Sequence, residues 1–410
     1  MDKDSCKILF VDHEGGFCGS TISMGYIVTE FAKHKCKVIV LTKASAKGIN
    51  FLRSKGAEII TYSSSPFRSI TLSLHFSDTT VLFGRKWFKN LFKDFIRFIN
   101  GIFLAIKVIN KTKPSLIYLN EYVIIQVALV AKIYRIPVAV HVRSLFLKNK
   151  LSPRVYLLKK ILQYCTDNIF AITDLEANQI GINKRSLRKK IEVIPEILNQ
   201  DNFTFPPDIK RLKNDLGYNS SAKIITFLGG ISYIKGSINF IKSILYIGNK
   251  INDIHFILAG KIYDKKISPE AYPYYKKCID CLNSPEVNTK IKIIGEVENT
   301  KELISVSDIV VSCSTESHFS RPIIEAWALK KAVIATDLLH TRNLIDEGIN
   351  GIIVPVNDAE SLSKAIESLI NDEKTRLLLG QNGYDKARTI FADERKLKKI
   401  VNCCIEKLNI

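Results

Sequence analysis

The chain has 410 residues, 46% of them apolar, and a formal net charge of +20. That length suggests two or three domains, and that apolar content excludes wholesale disorder. No apolar run approaches the roughly 20 residues needed to cross a bilayer, and nine scattered cysteines imply no disulfide framework.

The N-terminal "MDKDSCKILFVD" mixes both charge signs and lacks the basic segment and long apolar core of a signal peptide, so a cytoplasmic protein is expected. Residues 1–200 hold 31 Lys/Arg against 14 Asp/Glu, whereas the second half is close to neutral. The first half is therefore expected to face something anionic: nucleic acid, a membrane surface or a phosphorylated substrate.

In chain order, the first half predicts strands at "KILFVD", "KVIVLT", "AEIITY", "SLIYLN", "PVAVHV", "NIFAIT" and "EVIP". They are short, apolar and β-branched, as buried parallel strands are. Helical segments such as "STISMGYIVTEFAKHK" lie between them. After Pro206 and Pro207, which mark a linker, strands are predicted at "KIITFLG", "HFILAG", "KIKIIG", "DIVVSC", "AVIAT" and "GIIVPV". Alternating β and α segments give an α/β protein of two Rossmann-like doubly wound domains. If the domains face a central cleft, ligands bind outside the carboxyl ends of the strands.

Three turns at strand ends stand out. In "VDHEGGFCGS", Gly15, Gly16 and Gly19 permit a tight turn before a helix N-terminus, which favours an anion. The spacing is neither a dinucleotide fingerprint nor a P-loop; a plain tight turn is the alternative. "FLGGISYIKGSINF" places Gly229, Gly230 and Lys235 before a second helix, where a lysine can reach a phosphate or simply be solvated. "STESHFSRPIIEAWALKK" is the third, with Pro322 in the first helical turn and free N–H groups expected around Ser317 to Ser320. Glu325, one turn in, can accept two hydrogen bonds from a vicinal diol such as a ribose, or can merely favour the helix dipole.

Residues 85–107, "RKWFKNLFKDFIRFINGIFLAIK", are amphipathic at helical spacing. Trp87, Phe88, Leu91, Phe92, Phe95, Ile99, Ile102 and Phe103 share one face, and Arg85, Lys86, Lys89, Lys93 and Arg97 fall mostly on the other. Such a helix suits an anionic membrane surface or an ordinary core with a solvated basic side. Cys278 and Cys281 form one CxxC with no second ligand pair, so two ordinary thiols are expected.

Together these motifs resemble the retaining glycosyltransferases of family 4, which have the GT-B fold. "FLGGISYIKG" resembles the family's diphosphate-binding turn: Lys235 matches its lysine, and Gly230 stands where an arginine is common. The stretch from "IKIIGEVENT", containing Gly295, through "SVSDIVVSCSTESHFSRPIIEAWALKKAVIATD" resembles the nucleotide-sugar unit. By that resemblance Glu325 binds the ribose. Ser317 occupies the position of the sugar-contacting glutamate, with Glu316 one residue off register, and Ser320 replaces a usual glycine. His318, Phe319, Ser320 and Arg321 line the donor, with the Phe319 and Ser320 amides, Lys235 and Arg321 stabilising the leaving diphosphate. Gly16 lies near the donor phosphate. His141, or its neighbour Arg143, approaches the transferred sugar, although a strand-end histidine alone reads as core; Lys235 and His141 are the catalytic candidates.

The resemblance implies an acceptor-side domain over 1–203, a donor domain over 204–392 and a helix over 393–410 that crosses back to the first domain. It implies a nucleotide sugar as donor and a glycan or lipid-linked acceptor, in cell-surface polysaccharide or glycoconjugate synthesis. The only Asp-x-Asp, Asp2 and Asp4, precedes the first strand and is badly placed to hold a donor metal, so no metal and no other cofactor is expected. Residues 85–107 would hold the enzyme peripherally on the cytoplasmic membrane face. A non-catalytic nucleotide- or carbohydrate-binding protein with the same fold is the alternative. A nucleic-acid binder is not expected, because no reading motif is present.

Overall fold

The structure, a computed structural model, describes residues 6–13, 18–43, 45–61, 85–146, 153–248, 251, 253–262, 271–297 and 299–408. The chain divides into two compact units: residues 1–197 with 394–410, and residues 198–393.

The first unit is built on β1 (Lys7–Val11), β2 (Lys37–Thr42), β3 (Ala57–Thr61), β4 (Leu116–Leu119), β5 (Val138–Val142), β6 (Asn168–Ala171) and β7 (Ile191–Val193). All pair in parallel, in the order β3-β2-β1-β4-β5-β6-β7. The central strands β1, β4, β5 and β6 are buried on both faces, which is why they read as near-continuous apolar runs, whereas the edge strands β3 and β7 are only partly buried. One face packs Met24, Ile27 and Phe31 of the Gly19–Lys33 helix with Leu397, Ile400, Val401 and Cys404 of the Arg395–Ile405 helix. The other face packs the Arg85–Thr112 and Gln126–Ile133 helices.

The second unit carries β8 (Lys223–Phe227), β9 (Ile254–Ala259), β10 (Ile291–Gly295), β11 (Ile309–Ser312), β12 (Ala332–Thr336) and β13 (Ile352–Val354). The order is β10-β9-β8-β11-β12-β13, again all parallel. All thirteen strands stand where the sequence predicts them. The order reverses between β1 and β4 in one sheet and between β8 and β11 in the other. At such a switch point the loops leave in opposite directions and open a crevice.

The boundary between units falls at Leu198, earlier than the linker prolines suggest. Leu198 donates its N–H to the Phe391 carbonyl at 2.8 Å, and Leu198 and Phe203 are buried with Trp327 and Phe391 in the second unit's core. Among the described residues no helix is long and apolar enough to cross a membrane.

Candidate functional site

Two of the three turns meet at the β8/β11 switch point. The turn after β8 enters the Ser237–Ile247 helix through Gly236, whose φ of 72° is left-handed. A Cβ there would lie 1.8 Å from the Cys313 carbonyl oxygen, so only glycine lets the two turns close up. Thr315 N–H donates to Ile234 O at 2.9 Å and Thr315 Oγ1 to Tyr233 O at 3.0 Å. The Cys313 thiol contacts Gly236 O at 3.3 Å. The loop after β11 is thus fastened to the turn after β8 by its own backbone.

This fastening brings Lys235 and His318 together across 83 residues, with Nζ 2.5 Å from Nε2. The imidazole Nδ1 faces Glu316 O at 2.9 Å. A carbonyl only accepts, so Nδ1 carries the ring proton and Nε2 offers its lone pair to the ammonium. Burial first, and the Lys235 cation next, push the His318 pKa down to about 3. The amides of Phe319 and Ser320 donate to no backbone carbonyl among the described residues. Ser320 is the N-cap of the Arg321–Ala328 helix, with Pro322 in its first turn, and its hydroxyl meets Ser312 Oγ at 2.8 Å. The Phe319 ring packs edge-on against Phe391.

Glu325 is buried at 9% exposure, and its carboxylate is held from two sides. Arg321 Nε donates to Oε1 at 2.8 Å and Thr300 Oγ1 to Oε2 at 3.2 Å. Arg321 therefore spends its Nε on Glu325 and is itself buried, rather than reaching out as an independent diphosphate ligand. Thr300 follows β10 by five residues, which ties the Gly295 end of the sheet to Glu325. Gly295 has φ 74° with open space around it, and its carbonyl accepts from Gly260 N at 2.6 Å.

The Ser317 side chain turns toward the Leu339–Leu344 helix. Its Oγ accepts from His340 N–H at 3.1 Å and meets His340 Nδ1 at 2.9 Å. The position that the family resemblance assigns to a sugar contact thus carries a hydroxyl engaged in capping a helix, and Glu316 is exposed. Gly230 has a structural reason to lack a side chain: its φ is 60° and a Cβ would lie 2.0 Å from Lys261 O. An arginine could not occupy this backbone. Thr300, Thr315 and His340 had no signal in the sequence, because each is 23 to 82 residues from its partner.

In the first unit, Gly15 and Gly16 lie outside the described residues. His141 is not offered at the strand end. Its ring is 4% exposed between Tyr118 and Phe170, with Nδ1 2.9 Å from the Tyr118 hydroxyl. Burial, then Arg143, holds its pKa well below the usual histidine range, so the residue reads as a core histidine. The strand-end polar group is instead Arg143. Its Nε donates to Asn120 Oδ1 at 3.2 Å and its Nη1 pairs with Glu196, which also accepts from Ser23. Asn120 in turn donates to Asp12 at 3.1 Å, and Thr42 donates to the same carboxylate. This chain joins the ends of β1, β2, β4, β5 and β7 at the first sheet's switch point.

The apolar arc of the Arg85–Thr112 helix is wider than one face. Phe98, Ile102, Ala105, Val108 and Ile109 pack inward, and Phe92, Phe95 and Phe103 are 61–65% exposed beside them. The side chains of Trp87, Phe88, Leu91 and Lys93 lie outside the described residues, as do those of Arg85, Lys86 and Lys89. Cys278 is buried and Cys281 half-buried, both free thiols, and among the described residues no three His, Cys, Asp or Glu cluster as metal ligands would.

Two parallel-sheet Rossmann-like domains, the second with a cationic turn and a helix-borne carboxylate at its switch point, are the domain architecture of the GT-B fold. Residues 208–386 match the glycosyl transferases group 1 family. Among curated relatives, the chain is 24% identical over 250 residues to the capsular polysaccharide biosynthesis glycosyltransferase CapM of Staphylococcus aureus, covering 58% of this chain and 62% of that protein. It is 26% identical over 108 residues to the lipopolysaccharide core biosynthesis glycosyltransferase LpsE of Rhizobium meliloti, covering 26% and 32%. The chain thus spans less than two thirds of these relatives' length. Among solved structures, Anabaena Alr3699/HepE in complex with UDP-glucose superimposes with a TM-score of 0.76 at 19% identity, over 97% of this chain and 98% of that one.

Proposed function

We propose that the protein is a retaining glycosyltransferase. It transfers a sugar from a nucleotide-diphosphate donor to a glycan or lipid-linked acceptor in the synthesis of a cell-surface polysaccharide or glycoconjugate. The observation that carries this reading is the convergence at the β8/β11 switch point of Lys235, the Phe319 and Ser320 amides and the buried Glu325. The cation and amides stabilise the nucleoside diphosphate as its bond to the sugar breaks. Glu325 holds the ribose hydroxyls, and Arg321 and Thr300 hold Glu325. The acceptor hydroxyl attacks on the face the diphosphate leaves, so no enzyme nucleophile is assigned. Lys235 and the helix amides supply the charge stabilisation, and a metal-independent reaction is proposed on that basis. HepE, related in fold, is known with UDP-glucose, which makes UDP-sugars the first donors to try.

Peripheral attachment to the cytoplasmic membrane face is part of the proposal. Its support is the strip of exposed Phe92, Phe95 and Phe103 on a helix of a strongly basic half-chain. A second reading, a non-catalytic nucleotide-sugar binder, is favoured by one observation: Ser317 caps a helix where a sugar-contacting carboxylate would stand.

The test is thermal stabilisation by nucleoside diphosphates, followed by diphosphate release from a panel of nucleotide sugars with lipid-linked and glycan acceptors, with and without EDTA. Absence of stabilisation by every nucleoside diphosphate refutes the donor site. Stabilisation without turnover across the panel selects the second reading.

A further inference from the structure

We infer that His318 takes up a proton when a nucleoside diphosphate binds beside Lys235, and so becomes the second positive charge of the phosphate site. The inference rests on the donor-site reading above and extends it to a residue that acts by changing its charge.

Geometry sets the starting state. With Nζ 2.5 Å from Nε2 and Nδ1–H donating to Glu316 O, the ring is a neutral acceptor for the Lys235 ammonium. Two cations at that separation would repel strongly, so the imidazolium is excluded while the ammonium occupies Nε2. Among the described residues, the other groups near the ring do not supply an anion in its place. Ser314 Oγ lies 3.5 Å from Nε2, and the exposed Glu316 offers its carbonyl. His340 on the neighbouring helix is engaged with Ser317, and Asp337 before that helix is paired with Arg342.

A diphosphate changes each of these conditions. It brings two to three negative charges on phosphoryl oxygens, whereas Lys235 offers one positive charge and Gly230 has no room for another cationic side chain. A phosphoryl oxygen draws the ammonium away from Nε2. The lone pair is then released and faces an anion, so the charged form of the ring is favoured. A solvent proton binds Nε2, and the new N–H donates to the phosphoryl oxygen as a charge-assisted bond. Because the ring is already fixed through Nδ1, protonation adds a donor without reorienting the loop.

The experiment is isothermal titration calorimetry with UDP, GDP and inorganic pyrophosphate, each in two buffers of different ionisation enthalpy. It compares the full chain with His318→Gln, which keeps an acceptor for Lys235 but cannot take a proton. Protonation of the ligand itself is common to both proteins. The expected difference is about one proton taken up per ligand bound by the native protein and not by the variant, and roughly tenfold weaker binding by the variant at pH 6. Binding with equal proton uptake by both proteins overturns the inference and leaves the donor site standing. Absence of binding by any of the three probes to the native protein overturns both. Should the variant not fold, imidazole nitrogen shifts of His318 in the native protein decide: an Nδ1–H tautomer when free and a doubly protonated ring with UDP are expected. A ring that stays neutral with UDP bound refutes the proposal.

Discussion

Removing the Glu325 carboxylate separates two consequences that the structure ties to one residue. The Arg321–Glu325 pair is buried, with Arg321 at 7% and Glu325 at 9% exposure, and Thr300 donates to the second carboxylate oxygen. Glu325→Ala leaves a buried guanidinium and a hydroxyl without their acceptor. Breaking one partner of a buried pair costs about 3–5 kcal/mol. At roughly 2–4 °C per kcal/mol for a unit of this size, the unfolding midpoint of the second unit should fall by on the order of 10 °C. Glu325→Gln retains the volume and one acceptor oxygen, so its loss should be smaller, about 1–3 kcal/mol. Nucleotide affinity is a separate quantity. A charge-assisted bond to a ribose hydroxyl contributes about 1.5–3 kcal/mol, so Glu325→Gln should weaken nucleoside diphosphate binding roughly 10- to 150-fold. Inorganic pyrophosphate, which has no ribose, should bind the variant as it binds the native protein. Differential scanning calorimetry gives the first number and titration calorimetry below the transition gives the second. Unchanged nucleotide affinity in Glu325→Gln would remove the ribose assignment. An unfolding midpoint within 2 °C of native in Glu325→Ala, a margin set by the same conversion, would refute the argument from buried pairing.

Three further outcomes are expected. Gly383→Ala places a Cβ 2.1 Å from the ring of Trp327, which is fully buried and donates to Asn350 O at 2.9 Å; a loss of about 1–3 kcal/mol in urea unfolding checks it. Burial raises the Glu121 pKa to about 7, outweighing the hydrogen bonds from the Tyr122 and Arg143 amides. The folded state then holds a proton that the unfolded chain has released. Stability should fall by on the order of 3 kcal/mol as pH rises from 4.5 to 7. Glu121→Gln should flatten that slope in urea midpoints measured across the window, and an unchanged slope would refute the assignment. Replacing Phe92, Phe95 and Phe103 together by serine should abolish most flotation with anionic vesicles while leaving the unfolding midpoint within about 2 °C, since all three are exposed.

The sequence by itself determined the class of fold and the position of the candidate site along the chain. Each strand is a short β-branched run between helical segments, and parallel strands buried on both faces need little beyond that pattern. The Lys235 turn, the polar loop before Pro322 and Glu325 were also legible, because each lies in a local pattern of strand, turn and helix N-terminus. What only the tertiary structure decided is which groups meet. The strand order of the second sheet sets Lys235 against His318, Thr300 against Glu325 and Ser317 against His340, contacts that span 23 to 83 residues and leave no local trace. The same holds for His141. A strand-end histidine reads alike whether it faces solvent or core, and here the Tyr118 and Phe170 side chains of the neighbouring strands enclose it. Local chemistry is written in the chain because it depends on neighbours in sequence; burial and pairing across a sheet depend on strand order, which the sequence pattern does not encode residue by residue.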